Sequence, residues 1–296
     1  MRKVKVGIIG TGNIGTDLLI KLQRSSILEC GLFTGRNPES EGIKRAETMG
    51  IRTSYDSIKT IEDDPDCCDI VIDATSAKVH LYHAPILKKL GKFTIDLTPS
   101  RVGKMCVPVI NMKECLDEDN VNLITCGGQA TIPIAYMIKK VHPEIEYIEI
   151  VASISSKSAG PGTRRNIDEF TQTTSEALVF FTGVQKAKAI INLNPAEPPV
   201  IMRNTIYAKI NNPKVCELEY EIQLMVGKIQ KYVPGYKLAQ KPVYENGRFT
   251  TMIEVAGLGD YLPKYSGNLD IITSAAINIA EEYAKRKLLR KKHNNE

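Results

Sequence analysis

The spacing of apolar and polar positions divides the chain into two regimes. In the first, short β-branched runs alternate with amphipathic stretches. Val4 to Ile9 is followed by the turn Gly10-Thr11-Gly12-Asn13-Ile14-Gly15 and a helical pattern from Thr16 to Leu22. A second strand is predicted over Glu29 to Thr34 and a helix over Pro38 to Gly50, with further strands at Asp69 to Ala74, Phe93 to Leu97 and Val121 to Thr125. Near-continuous apolar strands separated by helices indicate a parallel sheet covered on both faces, a doubly wound α/β layer.

After residue 145 the pattern changes. Tyr147 to Ser156, Lys188 to Leu193, Ile201 to Lys209 and Phe249 to Val255 are longer strand-like segments with fewer helices between them, as in a mixed or antiparallel sheet. A helix is predicted from Ile167 to Phe181, and the stretch Asn268 to Leu289 has helical periodicity with alanine-rich faces. The expected organisation is a dinucleotide-binding domain over 1–129 and a mixed α+β catalytic and dimerisation domain over 130–265. A C-terminal helix in 266–296 is expected to return to the first domain.

Composition narrows the function. A hydrophobic share of 43% in 296 residues suits a globular enzyme with a substantial core. No apolar run approaches the roughly 18 residues of a membrane span, and the chain enters strand-like alternation at Val4 with no signal-peptide core. Seven cysteines at irregular spacing fit a reducing compartment, so a cytoplasmic location is expected. The net charge of +5 lies largely in the basic last helix and tail, Lys285 to Lys292, and with no tryptophan a nucleic-acid stacking surface is not expected. His80 and His83 share a helix face, yet no matching ligand cluster accompanies them, so no metal is predicted.

Three segments carry candidate chemistry. Gly10-x-Gly12-x-x-Gly15 lies between a strand and a helix, where glycines permit close backbone approach and the helix N-terminus offers free N–H groups to a pyrophosphate. The acidic residue that usually holds the ribose is replaced by Thr34-Gly35-Arg36-Asn37, and Arg36 leaves the choice between NAD and NADP open. Cys126 follows an apolar strand and precedes Gly127-Gly128, with a helix expected after Gly128; a thiol so placed is activated by the helix dipole and is the candidate nucleophile. The third segment, Ser155 to Asn166, is a polar glycine-bearing loop that reads equally as a connection or as a binding loop.

Taken together, Gly10 to Leu18, Asp73-Ala74-Thr75-Ser76, Ile95 to Pro99, Cys126 to Pro133, Ser158 to Phe170, Asn194 to Pro199 and Tyr261 to Asp270 closely resemble the acylating acetaldehyde dehydrogenases of meta-cleavage pathways for aromatic compounds and steroids. The resemblance covers nearly the whole chain. It implies a fold like that of glyceraldehyde-3-phosphate dehydrogenase and the oxidation of acetaldehyde, or another short aldehyde, to the acyl-coenzyme A. Cys126 would carry the thioester, with NAD (or NADP) as cofactor and coenzyme A as cosubstrate. It places the cofactor on Gly10, Thr11, Gly12, Asn13, Ile14 and Gly15, and on Ser158, Ala159, Gly160, Pro161, Gly162 and Asn268. It further implies a homodimer within a larger complex with a 4-hydroxy-2-oxoacid aldolase.

The sequence departs from the family's usual pattern at Arg36-Asn37, at Asn204, where aspartate is common, and in a shorter stretch between Tyr236 and Tyr261. Two other readings fit the same motifs. One is a semialdehyde or acyl-phosphate dehydrogenase of this fold, and the other is a non-catalytic nucleotide-binding subunit of an aldolase complex.

Overall fold

The computed structural model describes residues 3–160, 163–164 and 167–293. Contacts divide the chain into two units, one of residues 1–123 together with 273–296, the other of residues 124–272.

The first unit is built on seven parallel strands in the order β3-β2-β1-β4-β5-β7-β6. These are β1 (Val4–Ile9), β2 (Leu28–Thr34), β3 (Thr53–Ser54), β4 (Ile70–Asp73), β5 (Phe93–Asp96), β6 (Lys104–Met105) and β7 (Asn120–Asn122). All four residues of β4 and all four of β5 are buried, the mark of strands covered on both faces. Five helices connect them: α1 (Asn13–Leu22), α2 (Glu41–Thr48), α3 (Ile58–Asp63), α4 (Ala77–Lys89) and α5 (Pro108–Cys115). The strand order reverses between β1 and β4, the switch point at which open α/β sheets bind ligands beyond their strand ends.

The second unit holds a six-stranded mixed sheet in the order β11-β13-β10-β8-β9, with β12 on β13. Its strands are β8 (Tyr147–Ser155), β9 (Lys186–Asn194), β10 (Met202–Lys209), β11 (Tyr236–Leu238), β12 (Val243–Glu245) and β13 (Arg248–Val255). Only β8 and β9 are parallel; the remaining pairs are antiparallel. In β8, residues from Ile148 to Ile154 alternate between buried and partly exposed, so one face of the sheet is a core face. That face is met by α6 (Cys126–Val141), whose residues are buried almost throughout. The helices α7 (Ile167–Thr182) and α8 (Val215–Ile229) pack on α6. The final helix, α9 (Gly267–His293), begins in this unit and passes into the first at Thr273.

Several expected boundaries move. The strand predicted over Val121 to Thr125 ends at Asn122, and the helix expected after Gly128 starts at Cys126 itself. Because the whole of α6 packs within the second unit, the division falls after Leu123 and not after residue 129. The segment Ile124-Thr125 is apolar enough to read as strand, yet Ile124 takes φ 64°, a left-handed conformation that no strand residue adopts. Helix α8 has no counterpart in the predicted elements; its exposed apolar residues, Tyr220 and Leu224 among them, blur its amphipathic period.

In the first unit a buried ion pair ties the ends of the chain together. Lys21 pairs with Asp17 one turn earlier on α1, and Thr273 at the start of the unit's share of α9 donates to Asp17 Oδ2 at 2.6 Å and accepts from Lys21 Nζ at 3.0 Å. Further along α9, Tyr283 stacks on Phe93 with centroids 4.0 Å apart. Removing one member of a buried pair leaves a charge without compensation. Asp17→Asn is therefore expected to lower stability by about 3–5 kcal/mol in denaturant unfolding. A loss below about 0.5 kcal/mol, the range of an ordinary surface substitution, would show that the pair does not hold α9 in place.

Candidate active site

The glycine turn of the first unit follows β1 at the switch point. Gly10 has φ +111°, and a Cβ there would stand 2.6 Å from the carbonyl oxygen of Ala74, so only glycine fits. At Gly15 an added Cβ would meet the Gly10 carbonyl at 1.8 Å. Gly12 differs: its backbone is extended, and a Cβ there would meet nothing within 4 Å. The protein's own packing thus explains Gly10 and Gly15 but not Gly12, which leaves open space beside the helix start for a ligand. Gly12 is also the N-cap of α1 and supplies no side-chain cap, so the first N–H groups, from Asn13, Ile14 and Gly15, are left for an incoming acceptor. These features fit a dinucleotide. At the end of β2, Gly35 packs against the side chain of Thr11, Ser40 Oγ donates to the Thr11 carbonyl at 2.8 Å, and Arg36 is exposed beside them.

In the second unit Cys126 is the first residue of α6. Thr125 caps this helix: its Oγ1 accepts from Gly128 N at 2.9 Å and lies 2.7 Å from Thr174 Oγ1. Since Thr174 donates to the Phe170 carbonyl at 2.7 Å, the Thr125 hydroxyl must donate to Thr174, and the chain of bonds runs from α6 into α7. A Cβ at Gly127 would come within 2.8 Å of the Phe170 ring and 3.5 Å of Ala152 Cβ, so glycine lets the cysteine-bearing turn lie close against α7 and β8. Immediately before the cap, Ile124 is a β-branched residue held at positive φ, a strain of about 1–3 kcal/mol of the kind that gathers at functional sites.

The thiol does not behave as the helix start alone suggests. Burial pushes Cys126 up to about 12, against a smaller lowering by the backbone N–H groups of Gly127 and Cys126. Desolvation of the thiolate outweighs the dipole, because no charged side chain of the described residues assists it. All seven cysteines are free thiols. Hydrogen bonds between neighbouring thiols bring two others down, Cys67 to about 7 beside Cys68 and Cys115 beside Cys106, and all four are buried. Cys216 is exposed.

The loop after β8 also lies in the second unit. Ser158 is buried, its hydroxyl donates to the Ser155 carbonyl at 2.9 Å, and its own carbonyl accepts from Asn268 Nδ2 at 3.4 Å. The structure thus joins Ser158 to Asn268 at the start of α9, and Asn268 Oδ1 is buried with no partner. Ala159 is buried and Gly160 exposed, with nothing within 4 Å of a Cβ at Gly160. Pro161 and Gly162 lie outside the described residues. Asn204, on β10, is fully buried and neither atom of its carboxamide has a partner. It pairs with Ala152, the residue over which Gly127 sits. Thr125, Thr174 and Phe170, which hold the cysteine turn, were invisible to sequence reasoning except for the capping threonine, whose place before a helix was hidden in an apparent strand.

Residues 5–114 match the family described as semialdehyde dehydrogenase, NAD binding domain, and residues 126–263 match prokaryotic acetaldehyde dehydrogenase, dimerisation. An acetaldehyde dehydrogenase of Geobacillus stearothermophilus is 55% identical over 97% of this chain and 98% of its own. One from Pectobacterium atrosepticum is 52% identical over 95% of each chain, and one from Carboxydothermus hydrogenoformans is 55% identical over 97% of this chain and 95% of its own. The fold is also that of aspartate semialdehyde dehydrogenase II from Vibrio cholerae, with a TM-score of 0.65 at 11% identity over 95% of this chain and 98% of that one. An NAD-binding parallel-sheet unit, a mixed-sheet unit and near-full-length identity above one half together establish that the chain belongs to the acetaldehyde dehydrogenase family, aldehyde-oxidising enzymes with a nicotinamide cofactor.

Proposed function

We propose that this chain oxidises acetaldehyde or a similar short aldehyde to the acyl-coenzyme A, with Cys126 as the nucleophile. The observation that carries the reading is the placement of Cys126 on the first residue of α6, on a turn held by Thr125, Thr174 and Phe170 and kept thin by Gly127. The sulfur adds to the carbonyl carbon and the thiol proton goes to the carbonyl oxygen, giving a thiohemiacetal. A bound nicotinamide would supply the hydride acceptor for that carbon, and loss of the hydroxyl proton would then leave a thioester on Cys126. The coenzyme A thiol then attacks the thioester carbonyl, the acyl group moves to its sulfur, and the proton returns to Cys126. The net change is aldehyde, NAD+ and coenzyme A to acyl-coenzyme A, NADH and a proton.

Gly12 and the first turn of α1 receive the pyrophosphate, and the family resemblance assigns Ser158 and Asn268, which are hydrogen-bonded to each other, to the cofactor as well. Asn204 cannot accept a proton near neutral pH and serves to position a polar group of the substrate or a water. A homodimer is supported by the match of residues 126–263 to a dimerisation family, and partnership with an aldolase rests on the family resemblance. The NAD-binding match to semialdehyde dehydrogenases keeps one second reading, in which phosphate rather than coenzyme A takes the acyl group.

The discriminating experiment is turnover of acetaldehyde with NAD and either coenzyme A or phosphate as acceptor. Coenzyme A is expected to support sustained turnover that Cys126→Ala abolishes while NAD still binds. Turnover with phosphate alone, or near-normal turnover by Cys126→Ala, would overturn the proposal. The raised thiol gives a second outcome. In the ligand-free protein near pH 7.5, iodoacetamide is expected to label exposed Cys216 before Cys126, with the Cys126 rate still climbing above about pH 9. Cys126 as the fastest thiol at neutral pH, read by peptide mass spectrometry, would show that its surroundings favour the thiolate after all.

A further inference from the structure

At the ends of β4 and β5 lies a buried polar cluster for which the proposed chemistry has no use. Asp73 and Asp96 are register partners on adjacent parallel strands, and both are fully buried. Two such carboxylates repel one another unless a cation stands between them. His80, also fully buried, reaches Asp73 Oδ2 through Nδ1 at 2.9 Å and stands with Nε2 3.5 Å from Asp96 Oδ2. His83 Nδ1 meets the same Asp73 oxygen at 2.8 Å. An ionised carboxylate only accepts, so both Nδ1 atoms carry hydrogen.

The remaining nitrogen of His80 is the one that titrates. Its neighbour is Asn120 on β7, whose Nδ2 is 2.9 Å away while its Oδ1 is buried with no partner. A half-turn of that amide presents Oδ1 to a protonated Nε2, so the same pocket serves neutral histidine and imidazolium. Burial pushes His80 down, but the hydrogen bond to Asp73 and the charges of Asp96 and Asp73 outweigh it and raise the imidazole above its ordinary 6.5. Burial likewise pushes Asp73 up, and the two histidines overcome it and hold the carboxyl well below its usual range. The Asp96 oxygen that faces His80, Oδ2, also accepts from Ser100 Oγ at 2.5 Å and Asn122 Nδ2 at 2.7 Å, and Oδ1 accepts from Thr98 N at 2.7 Å; burial raises this carboxyl against the lowering by His80 and these neutral donors. The nearest surface charges on α4 and before β7, Lys88 and Asp119, pair with each other.

What Asp73 holds links the cluster to the glycine turn. Its other oxygen, Oδ1, accepts from Thr75 N at 3.1 Å and from Thr75 Oγ1 at 2.5 Å, which fixes the segment Ala74 to Ser76 leading into α4. Ala74 N donates to Ile9 O at 2.8 Å, and the Ala74 carbonyl abuts Gly10 so closely that a Cβ there would not fit. We propose that His80 is a positioning residue for the dinucleotide: as an imidazolium between Asp73 and Asp96 it holds the Ala74 to Ser76 segment against the Gly10 turn. Loss of its proton leaves the two carboxylates unscreened, loosens that segment and weakens nucleotide binding. A raised imidazole keeps its proton above the ordinary value, so binding is strongest below the shifted midpoint and falls as pH rises through it. The inference rests on the reading that the glycine turn holds the nucleotide.

The test is NAD binding to the full chain by calorimetry between about pH 6 and 9.5. The dissociation constant is expected to rise about five- to tenfold across one transition in the unmodified chain and to stay flat in His80→Gln. A flat profile in the unmodified chain, or the same transition in His80→Gln, would overturn the proposal. Should His80→Gln not fold, the imidazole is followed by nitrogen NMR in the unmodified chain, where linkage requires saturating NAD to move its midpoint upward; an unmoved midpoint would also overturn it. Gly12→Val tests the underlying reading separately, since the space there admits a side chain without disturbing the fold. Retained NAD affinity in that variant would remove the nucleotide from the turn, and the proposal with it.

Discussion

The N–H groups of a helix's first turn find no partner inside the helix, and the two glycine segments of this chain are arranged round that constraint. Helix α1 leaves the groups open: Gly12 brings no side chain to cap them, and the space beside it is empty. Helix α6 treats them differently. Thr125 takes the N–H of Gly128, and those of Cys126 and Gly127 act on the sulfur. One helix start is thus left open, and the other is met by a side chain of its own. The proposed chemistry depends on this contrast, since a dinucleotide has to be met by free donors and a nucleophile has to be held by satisfied ones.

For the cysteine the same construction has a cost. Gly127 lets the turn lie close against Phe170 and Ala152, and although Cys126 keeps some exposed surface, desolvation raises its thiol further than the two N–H groups lower it. With the thiol raised in the ligand-free chain, the proposed addition has to move its proton to the carbonyl oxygen. Asn204, buried without partners on the strand beside Ala152, is a carboxamide in want of a polar neighbour close to that reaction.

Much of the architecture was legible in the chain. Runs such as Ile70 to Asp73 and Phe93 to Asp96 are buried in full because their strands are covered on both sides, and an unbroken apolar run expresses that directly. The glycine turn was legible because strand, spacing and helix agree within a dozen residues. The cysteine turn was legible in place but not in state: a dipole argument needs only local sequence, whereas desolvation depends on what packs round the turn in the folded chain. Ile124-Thr125 misled for a related reason, because apolar character expresses burial and cannot reveal a positive φ. His80 and His83 share a helix face in the sequence, but nothing local says what they face. Their partner Asp73 ends the preceding strand, and only the return of α4 over β4 and β5 brings Asp96 and Asn120 to the same imidazole.

The central claim is that the acyl group passes through Cys126, and intact-protein and peptide mass spectrometry tests it most directly. The chain is mixed with NAD and acetaldehyde without coenzyme A, quenched in acid and digested. The account requires an acetyl group on the peptide that contains Cys126, removed when coenzyme A is added and recovered as acetyl-coenzyme A. Acetyl on another residue, or none on Cys126 while NADH forms at the normal rate, would contradict it.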